Sequence, residues 1–304
     1  MQDGQEIGYD VPARVGMSED EVQTPALIVD LDAFETNLAQ MRDDCVAMGV
    51  ALRPHGKMHK CAEIAQRQIA MGASGISCQK LSEAEAFARA GIRDLMVTNQ
   101  VTDPLRIGRL VKLAGQVRVS VCVDDPDNVA ALSRAAEAEG VTLDVLVEID
   151  CGSARCGVAP GAAAVSLAQA VAGAPGLSFG GVQAYHGGAQ HIRDAGERAA
   201  TVAGVVDMAR ETVTALEAAG LPCGVVGGGG TGTYPYEGRS GVYTELQCGS
   251  YAFMDADYGR VLDPETQGVG RYRQAMFVLA SVISTARAKG GVCDAGLKAL
   301  AVDS

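Results

Sequence analysis

VRVSVCVDDPDNVAALSRAAEAEGVTLDVLVEID, residues 117–150, carries the pattern that decides the fold. A β-branched run, Val117 to Asp124, is followed by an Ala-rich stretch of helical period, Asp127 to Glu139, and then by a second run, Leu143 to Asp150. Strand, helix, strand in that order is the unit of a parallel sheet with helices outside it. Toward the N-terminus the same alternation places strand-like runs at Pro25 to Asp30, Leu52 to Lys57, Gly75 to Gln79 and Leu95 to Asn99. Toward the C-terminus it places them at Phe179 to His186, Gly224 to Gly228 and Glu245 to Tyr251. Helix-like stretches lie between, at Asp32 to Met48, Ser82 to Ala90, Ala162 to Ala172 and Glu197 to Ala219. Asp32 and Ser82 stand as capping residues, and Glu85 three places after Ser82 suggests a capping box. The expectation is an α/β protein, a (β/α)8 TIM barrel with one strand to spare; an open doubly wound sheet is the rival.

A chain of 304 residues has room for two domains or one large barrel. With 48% hydrophobic and 20% charged residues it has material for a sizeable core, and no segment reaches the ~20 unbroken apolar residues of a membrane helix. Lys and Arg number 25 against 37 Asp and Glu, and the net charge of −12 repels a nucleic-acid backbone. The opening MQDGQEIGYD lacks both parts of a secretory signal, so the expected location is the cytoplasm. Nine cysteines scattered singly through apolar runs read as reduced, buried thiols. The closest pair, Cys151 and Cys156, has no second pair to complete a zinc site, so no metal ligands are assigned.

After Tyr258 the alternation stops. Met276 to Arg287 and Gly291 to Val302, separated by Ala-Lys-Gly-Gly, read as a hairpin opening a β domain. Two strands cannot bury a core of their own. The expected division is therefore a barrel over residues 33–258, with 1–32 and 259–304 contributing to a β domain whose remainder lies beyond Ser304.

In a barrel of parallel strands, chemistry gathers at the C-terminal ends of the strands. There stand RPHGKMHK (53–60) with Lys57 and His59, then Gln79, then Asn99. CGSARCG (151–157) follows with Arg155, and QAYHGGAQH (183–191) with Tyr185, His186 and His191. A lysine beside a second cation loses its proton readily, as an imine-forming amine requires. Arg155 would either pair with Asp150 or Glu148 or face an anion in the barrel mouth. Gly227 to Thr233 formally matches a dinucleotide fingerprint but lacks a long helix after it; with Cys248-Gly249-Ser250-Tyr251 it reads better as a phosphate cradle. A phosphate grip with Lys57 across the mouth from it suits a phosphorylated aldehyde, and pyridoxal phosphate fits that description.

With these residues in place, the sequence resembles the fold-type III pyridoxal-phosphate enzymes of alanine racemase N-terminal type, and within them the D-threonine aldolase, 3-hydroxy-D-aspartate aldolase and D-serine dehydratase group. TPALIVDLDAF, RPHGKMHK, SCQKLSEAEAFARAGI, VTNQV, VCVDD, VEIDCGSARCGV, VQAYHGGAQH, GGGTGTY, ELQCGSYAFMDADYGR and VCDAGLKALAVDS carry the likeness over nearly the whole chain. The resemblance assigns TPALIVDL to the β domain, which accounts for the surplus strand. It implies that Lys57 bonds the cofactor aldehyde, that Arg155 contacts the ring's phenolate oxygen, and that Gln79 and Tyr185 line the ring. Gly230, Thr231, Gly232, Gly249 and Ser250 match phosphate contacts. His191 matches the proposed base, with His59 a nearby polar partner. It also implies a homodimer acting on a small amino acid, and a divalent metal, Mg or Mn, whose ligands would lie beyond Ser304.

The activity so implied is metal-assisted cleavage of a D-3-hydroxy amino acid to glycine and an aldehyde. GGGTGTY and ELQCGSYAFMDADYG resemble the 3-hydroxyaspartate enzymes slightly more, and YHGGAQH the D-threonine aldolases. Alternatives are dehydration of D-serine or D-3-hydroxyaspartate, a non-catalytic cofactor-binding protein, and a phosphosugar enzyme on the same barrel.

Overall fold

The structure is a computed structural model that describes residues 4–261, 263 and 270–301. After β1 (Ala26–Val29) and α1 (Leu31–Met48), strands and helices alternate. They run β2 (Ala51–Leu52), α2 (Ala62–Ala70), β3 (Ile76–Cys78), α3 (Leu81–Arg89), β4 (Asp94–Val97), α4 (Pro104–Ala114), β5 (Arg118–Val123) and α5 (Pro126–Glu139). The series continues with β6 (Leu143–Glu148), α6 (Ala162–Gly173), β7 (Leu177–Ala184), α7 (Ala195–Ala218), β8 (Val225–Gly228), α8 (Tyr234–Gly238) and β9 (Glu245–Leu246). The last strands are β10 (Met276–Leu279), β11 (Val282–Ser284) and β12 (Val292–Cys293).

Eight strands form one parallel sheet in the order β3-β4-β5-β6-β7-β8-β9-β2. Its ends meet: His55 and Ser77 form a parallel bridge, and the Ser77 N–H donates to Pro54 O at 2.9 Å. The sheet is a closed (β/α)8 barrel, and the open doubly wound alternative is excluded by that closure. Period-2 alternation divides the side chains. Met96, Cys122 and Leu146 form a small interior cluster, while their neighbours Leu95, Val97, Val121, Val123, Val145 and Val147 pack outward against Leu110, Leu132 and Leu167 of the helices. At the N-terminal end of the barrel, Arg53 donates to Glu245 at 2.8 Å and to Asp94 at 2.6 Å, and Arg118 to Asp144 at 3.1 Å.

Two strands are shorter than the sequence suggests. The run expected to reach Lys57 keeps its backbone pairing only as far as His55, whose N–H donates to Cys248 O at 2.9 Å, and the chain then turns into a 3-10 helix at Gly56–Met58. The run expected to reach Tyr251 likewise becomes a 3-10 helix at Ser250–Ala252. Helix starts also differ. Asp30 rather than Asp32 caps α1, accepting from the Ala33 N–H at 2.9 Å. α3 begins one residue early, so the Ser82–Glu85 box does not form. Glu83 instead accepts from the Gln79 N–H at 2.8 Å, and Glu85 reaches sideways to Arg109 of α4. Helices α2, α4 and α8 are additional to those read from the pattern.

Outside the barrel, β1 pairs antiparallel with β10, Ala26 opposite Leu279 and Val29 opposite Met276. β11 pairs with β12, Val282 opposite Cys293. The run expected as one strand over Met276 to Arg287 therefore serves two pairings, and Val302, expected at the end of its partner, lies outside the described residues. Leu27, Phe277, Val282, Ile283 and Leu297 on these strands and the loop after them are exposed. All nine cysteines are free: five are buried, Cys61, Cys156 and Cys223 are half-buried, and Cys293 on β12 is exposed, so the expectation of buried thiols fails there. Among the described residues no helix is long and apolar enough to cross a membrane.

Candidate active site

The loops after β2, β3, β4, β6, β7, β8 and β9 converge on a cavity of about 210 Å³. Lys57, Gln79, Arg155, Tyr185, Gly230, Thr231, Gly249 and Ser250 all line it, so eight of the nine residues expected around a cofactor share one space. His55, from the same strand exit as Lys57, also lines it, and Met58, Thr98, Gln183, Gln247 and Tyr258, which had no role assigned from sequence, complete the wall.

Lys57 occupies the centre of the 3-10 turn that follows β2. Its nitrogen stands 5.9 Å from the centre of the Tyr185 ring, and the Arg155 guanidinium stands 5.6 Å from the same ring. Burial of the amine, and then the positive charge of Arg155, lower the Lys57 pKa below the ordinary lysine value; Glu83 acts in the opposite sense. Burial also lifts the Tyr185 hydroxyl to about 12, so the ring stays a neutral, aromatic wall.

His55, directly before this turn, is buried. Its Nε2 lies 3.0 Å from Thr98 Oγ1, whose hydroxyl donates to Cys78 O at 3.2 Å. That direction leaves Nε2–H as the donor and Nδ1 as the acceptor of the Lys57 N–H at 3.4 Å. Burial, reinforced by Lys57 and Arg155 among its cationic neighbours, holds the ring neutral with a pKa well below the usual value.

Arg155 sits in a loop wrapped around Asp150, which accepts from the N–H groups of Gly152 at 3.0 Å and Ala154 at 3.1 Å. With Asp150 so engaged, Arg155 pairs with Glu148 at 3.5 Å rather than with Asp150. Gln183 and Gln247, both in the cavity wall, exchange amide contacts at 2.8 and 2.9 Å. Thr231 is oriented by the Tyr251 N–H, which donates to its Oγ1 at 2.9 Å. A Cβ at Gly249 would lie 3.2 Å from His55 O, so glycine lets the β9 exit close against the turn that holds Lys57. That contact also corrects an expectation: β9 is the direct neighbour of β2, so the Gly249–Ser250 loop, expected across the barrel mouth from the lysine, stands beside it.

Three expected residues do not line the cavity. Gly232 packs on the backbone of Gln190, where a Cβ would meet Gln190 O at 2.5 Å, and its N–H donates to Gln190 Oε1 at 3.0 Å. That contact packs two loops closely together. His59 turns away: Nδ1 accepts from the Cys61 N–H at 3.0 Å, the ring packs edge-on against Phe87, and burial lowers its pKa to about 4. His191 lies at the rim, half exposed, with its ring 5.4 Å from that of Tyr258, which does line the cavity. Asn99 also lies outside the lining.

The cavity offers a primary amine, one guanidinium, the hydroxyls of Thr98, Thr231 and Ser250, two phenols and two glycine backbones, a set suited to an anionic, aldehyde-bearing ring of small-molecule size. Pyridoxal phosphate fits this donor set. Among the described residues no group of three or more His, Cys, Asp and Glu could hold a metal ion, and the ligands expected beyond Ser304 lie outside them. No step below runs through a metal.

A closed parallel barrel with a lysine and an anion cradle at the C-terminal ends of its strands defines the class. Residues 29–257 match the family model for the alanine racemase N-terminal domain, and the chain belongs to that family. It is 52% identical over 305 residues to a 3-hydroxy-D-aspartate aldolase of Paracoccus denitrificans (strain Pd 1222), covering 99% of this chain and 79% of the relative. It is 45% identical over 292 residues to a D-threonine aldolase of Arthrobacter sp., covering 96% and 76%. The crystal structure of a D-threonine aldolase from Filomicrobium marinum superposes with a TM-score of 0.94 at 50% identity, covering 97% of this chain and 79% of that one.

Proposed function

We propose that this chain is a pyridoxal-phosphate-dependent aldolase, a carbon–carbon lyase that cleaves D-3-hydroxy amino acids of the D-threonine or 3-hydroxy-D-aspartate type to glycine and an aldehyde. The observation that carries the reading is Lys57: an amine of lowered pKa, in the same cavity as Arg155 and two glycine-hydroxyl loops. The two aldolase relatives at 52% and 45% identity support the reaction class.

Lys57 Nζ, more easily deprotonated than a free lysine, would hold the cofactor through its aldehyde. Gly230, Thr231, Gly249 and Ser250 would hold the phosphate, and Arg155 would supply a cation for the ring's phenolate oxygen. Tyr185 and Gln79 would line the ring. The cofactor, when bound, supplies an electron sink for the charge that develops at the substrate Cα. His191 takes the proton of the β-hydroxyl; that oxygen becomes the aldehyde carbonyl as the Cα–Cβ bond breaks. Tyr258, between the rim and the cavity, carries the wall from the cofactor side to the base.

The test is product analysis. Incubated with pyridoxal phosphate and either D-threonine or 3-hydroxy-D-aspartate, the chain is expected to release glycine with acetaldehyde or glyoxylate. Ammonia and a keto acid in place of glycine would replace the aldolase reading with the dehydratase one.

A further inference from the structure

The loop that brings Tyr258 to the cavity also brings a carboxylate to His191. Asp255 Oδ1 accepts from the N–H groups of Asp257 at 3.0 Å and Tyr258 at 2.8 Å, which fixes the turn and sets these two side chains next to each other. Tyr258 faces the cavity, while Asp257 Oδ2 lies 2.6 Å from His191 Nδ1. The other carboxylate oxygen, Oδ1, lies 4.0 Å from the Arg193 guanidinium.

The His191 side of the contact is equally well braced. The fully buried Arg198 donates to Ile192 O at 2.6 Å and Arg193 O at 3.1 Å. Gln190, also buried, donates to Thr233 Oγ1 at 2.7 Å and accepts from the Gly232 N–H at 3.0 Å. The backbone on both sides of His191 is therefore tied to the barrel, although the imidazole itself is half exposed. A half-exposed ring on a braced backbone still turns freely about its side-chain bonds, and neutral histidine in water favours the Nε2–H tautomer. Only a partner at one nitrogen fixes both rotation and tautomer.

We propose that Asp257 is a positioning residue for His191: it accepts the Nδ1–H, fixes the ring beside Tyr258, and leaves Nε2 as the unprotonated position that receives the β-hydroxyl proton. The inference rests on the assignment of His191 as the base. In the proton transfer the substrate O–H bond breaks and an Nε2–H bond forms. The imidazolium so made lies against a carboxylate that is already in place, so its charge is compensated without movement.

Nitrogen-15 NMR of the chain labelled in its four histidines reads the tautomer directly, without turnover and with His191 assigned through His191→Ala. The expected spectrum has His191 with Nδ1 of the protonated type and Nε2 of the bare type, and Asp257→Asn, whose amide can donate to Nδ1, reverses the two. In the cofactor-loaded enzyme Asp257→Asn lowers kcat by at least ~10-fold, and by no more than the ~10²–10⁴ that a general base contributes, and leaves KM and the cofactor absorbance unchanged. In a His191→Ala background the same substitution adds nothing. An Nε2–H tautomer in the unsubstituted chain, or a loss that adds fully to that of His191→Ala, would overturn the Asp257 assignment alone. Unchanged turnover in His191→Ala would overturn the base assignment and this one with it.

Discussion

Lys57 and Arg155, 98 positions apart in the chain, stand over one and the same ring, that of Tyr185, at 5.9 and 5.6 Å. The pairing links charge to chemistry: a guanidinium close enough to face an anionic ring substituent is also close enough to discourage the lysine from holding its proton.

The pH dependence of cofactor capture follows from that pairing. The protonated amine is unreactive, and both burial and Arg155 favour its neutral form, so capture should rise with pH through a midpoint below the ordinary lysine value of 10.5. Arg155→Met removes the larger of the two cationic causes, Lys60 being the other, and moves the midpoint upward, toward free lysine. Stopped-flow absorbance of pyridoxal-phosphate uptake between neutral and alkaline pH measures both. A midpoint unmoved by the substitution would separate Arg155 from the reactivity of Lys57.

His191→Ala should lower turnover by about 10²–10⁴-fold, the usual contribution of a general base, while the cofactor stays bound. Steady-state kinetics with the absorbance spectrum taken on the same sample distinguishes loss of the base from loss of the cofactor.

Glu237 is buried behind the anion cradle, where Thr233 donates to its Oε1 at 2.7 Å. Burial raises its pKa from 4.5 to about 7. A carboxyl raised in the folded state binds its proton more tightly folded than unfolded, so its cost is absent below pH 4.5 and grows as pH climbs toward 7. The shift corresponds to about 3 kcal/mol at most. Glu237→Gln should therefore raise Tm at pH 8 and change it little at pH 4.5. Equal shifts at both pH values would mean that the carboxyl ionises over the same pH range folded as unfolded, so that burial does not raise its pKa.

Arg53 and Glu245 form a buried pair at 2.8 Å on the barrel floor, with side chains 8% and 5% exposed. Arg53→Leu leaves Glu245 buried without its charge partner and should cost about 3–5 kcal/mol in denaturant unfolding. A near-neutral result would show that Glu245 takes up a proton or that water enters the floor.

The barrel was legible because its cause is local. Each βα unit announces itself by a change from β-branched runs to helical period, and every barrel strand read from the pattern is present at nearly its expected place. The rule that parallel strands present their C-terminal ends together then turned strand exits into a list of candidates, and Lys57, Gln79, Arg155, Tyr185, Thr231 and Ser250 do meet in one cavity. Spacing along the chain carries no record of which way a side chain turns after its strand. Thus His59, two places from Lys57, packs against Phe87, and Gly232, one place from Thr231, packs on Gln190. Partners brought together only by ring closure were equally hidden. Gln183 and Gln247 meet in the cavity wall from separate strands, and Asp257 reaches His191 from a turn whose Asp-Ala-Asp-Tyr string looks like an ordinary loop. α4 could have been found from its Asp103-Pro104 start, where Asp103 accepts from the Arg106 N–H at 2.9 Å.

The most direct test of the central claim is the site at which the cofactor becomes bonded. The purified chain is mixed with pyridoxal phosphate, its visible spectrum is recorded, the sample is reduced with borohydride, and the labelled peptide is mapped. The expected result is a visible band that reduction removes, with the label on Lys57 and its loss in Lys57→Ala. A label on any other lysine, or a band that survives in Lys57→Ala, would contradict the assignment of Lys57 and the reaction built on it.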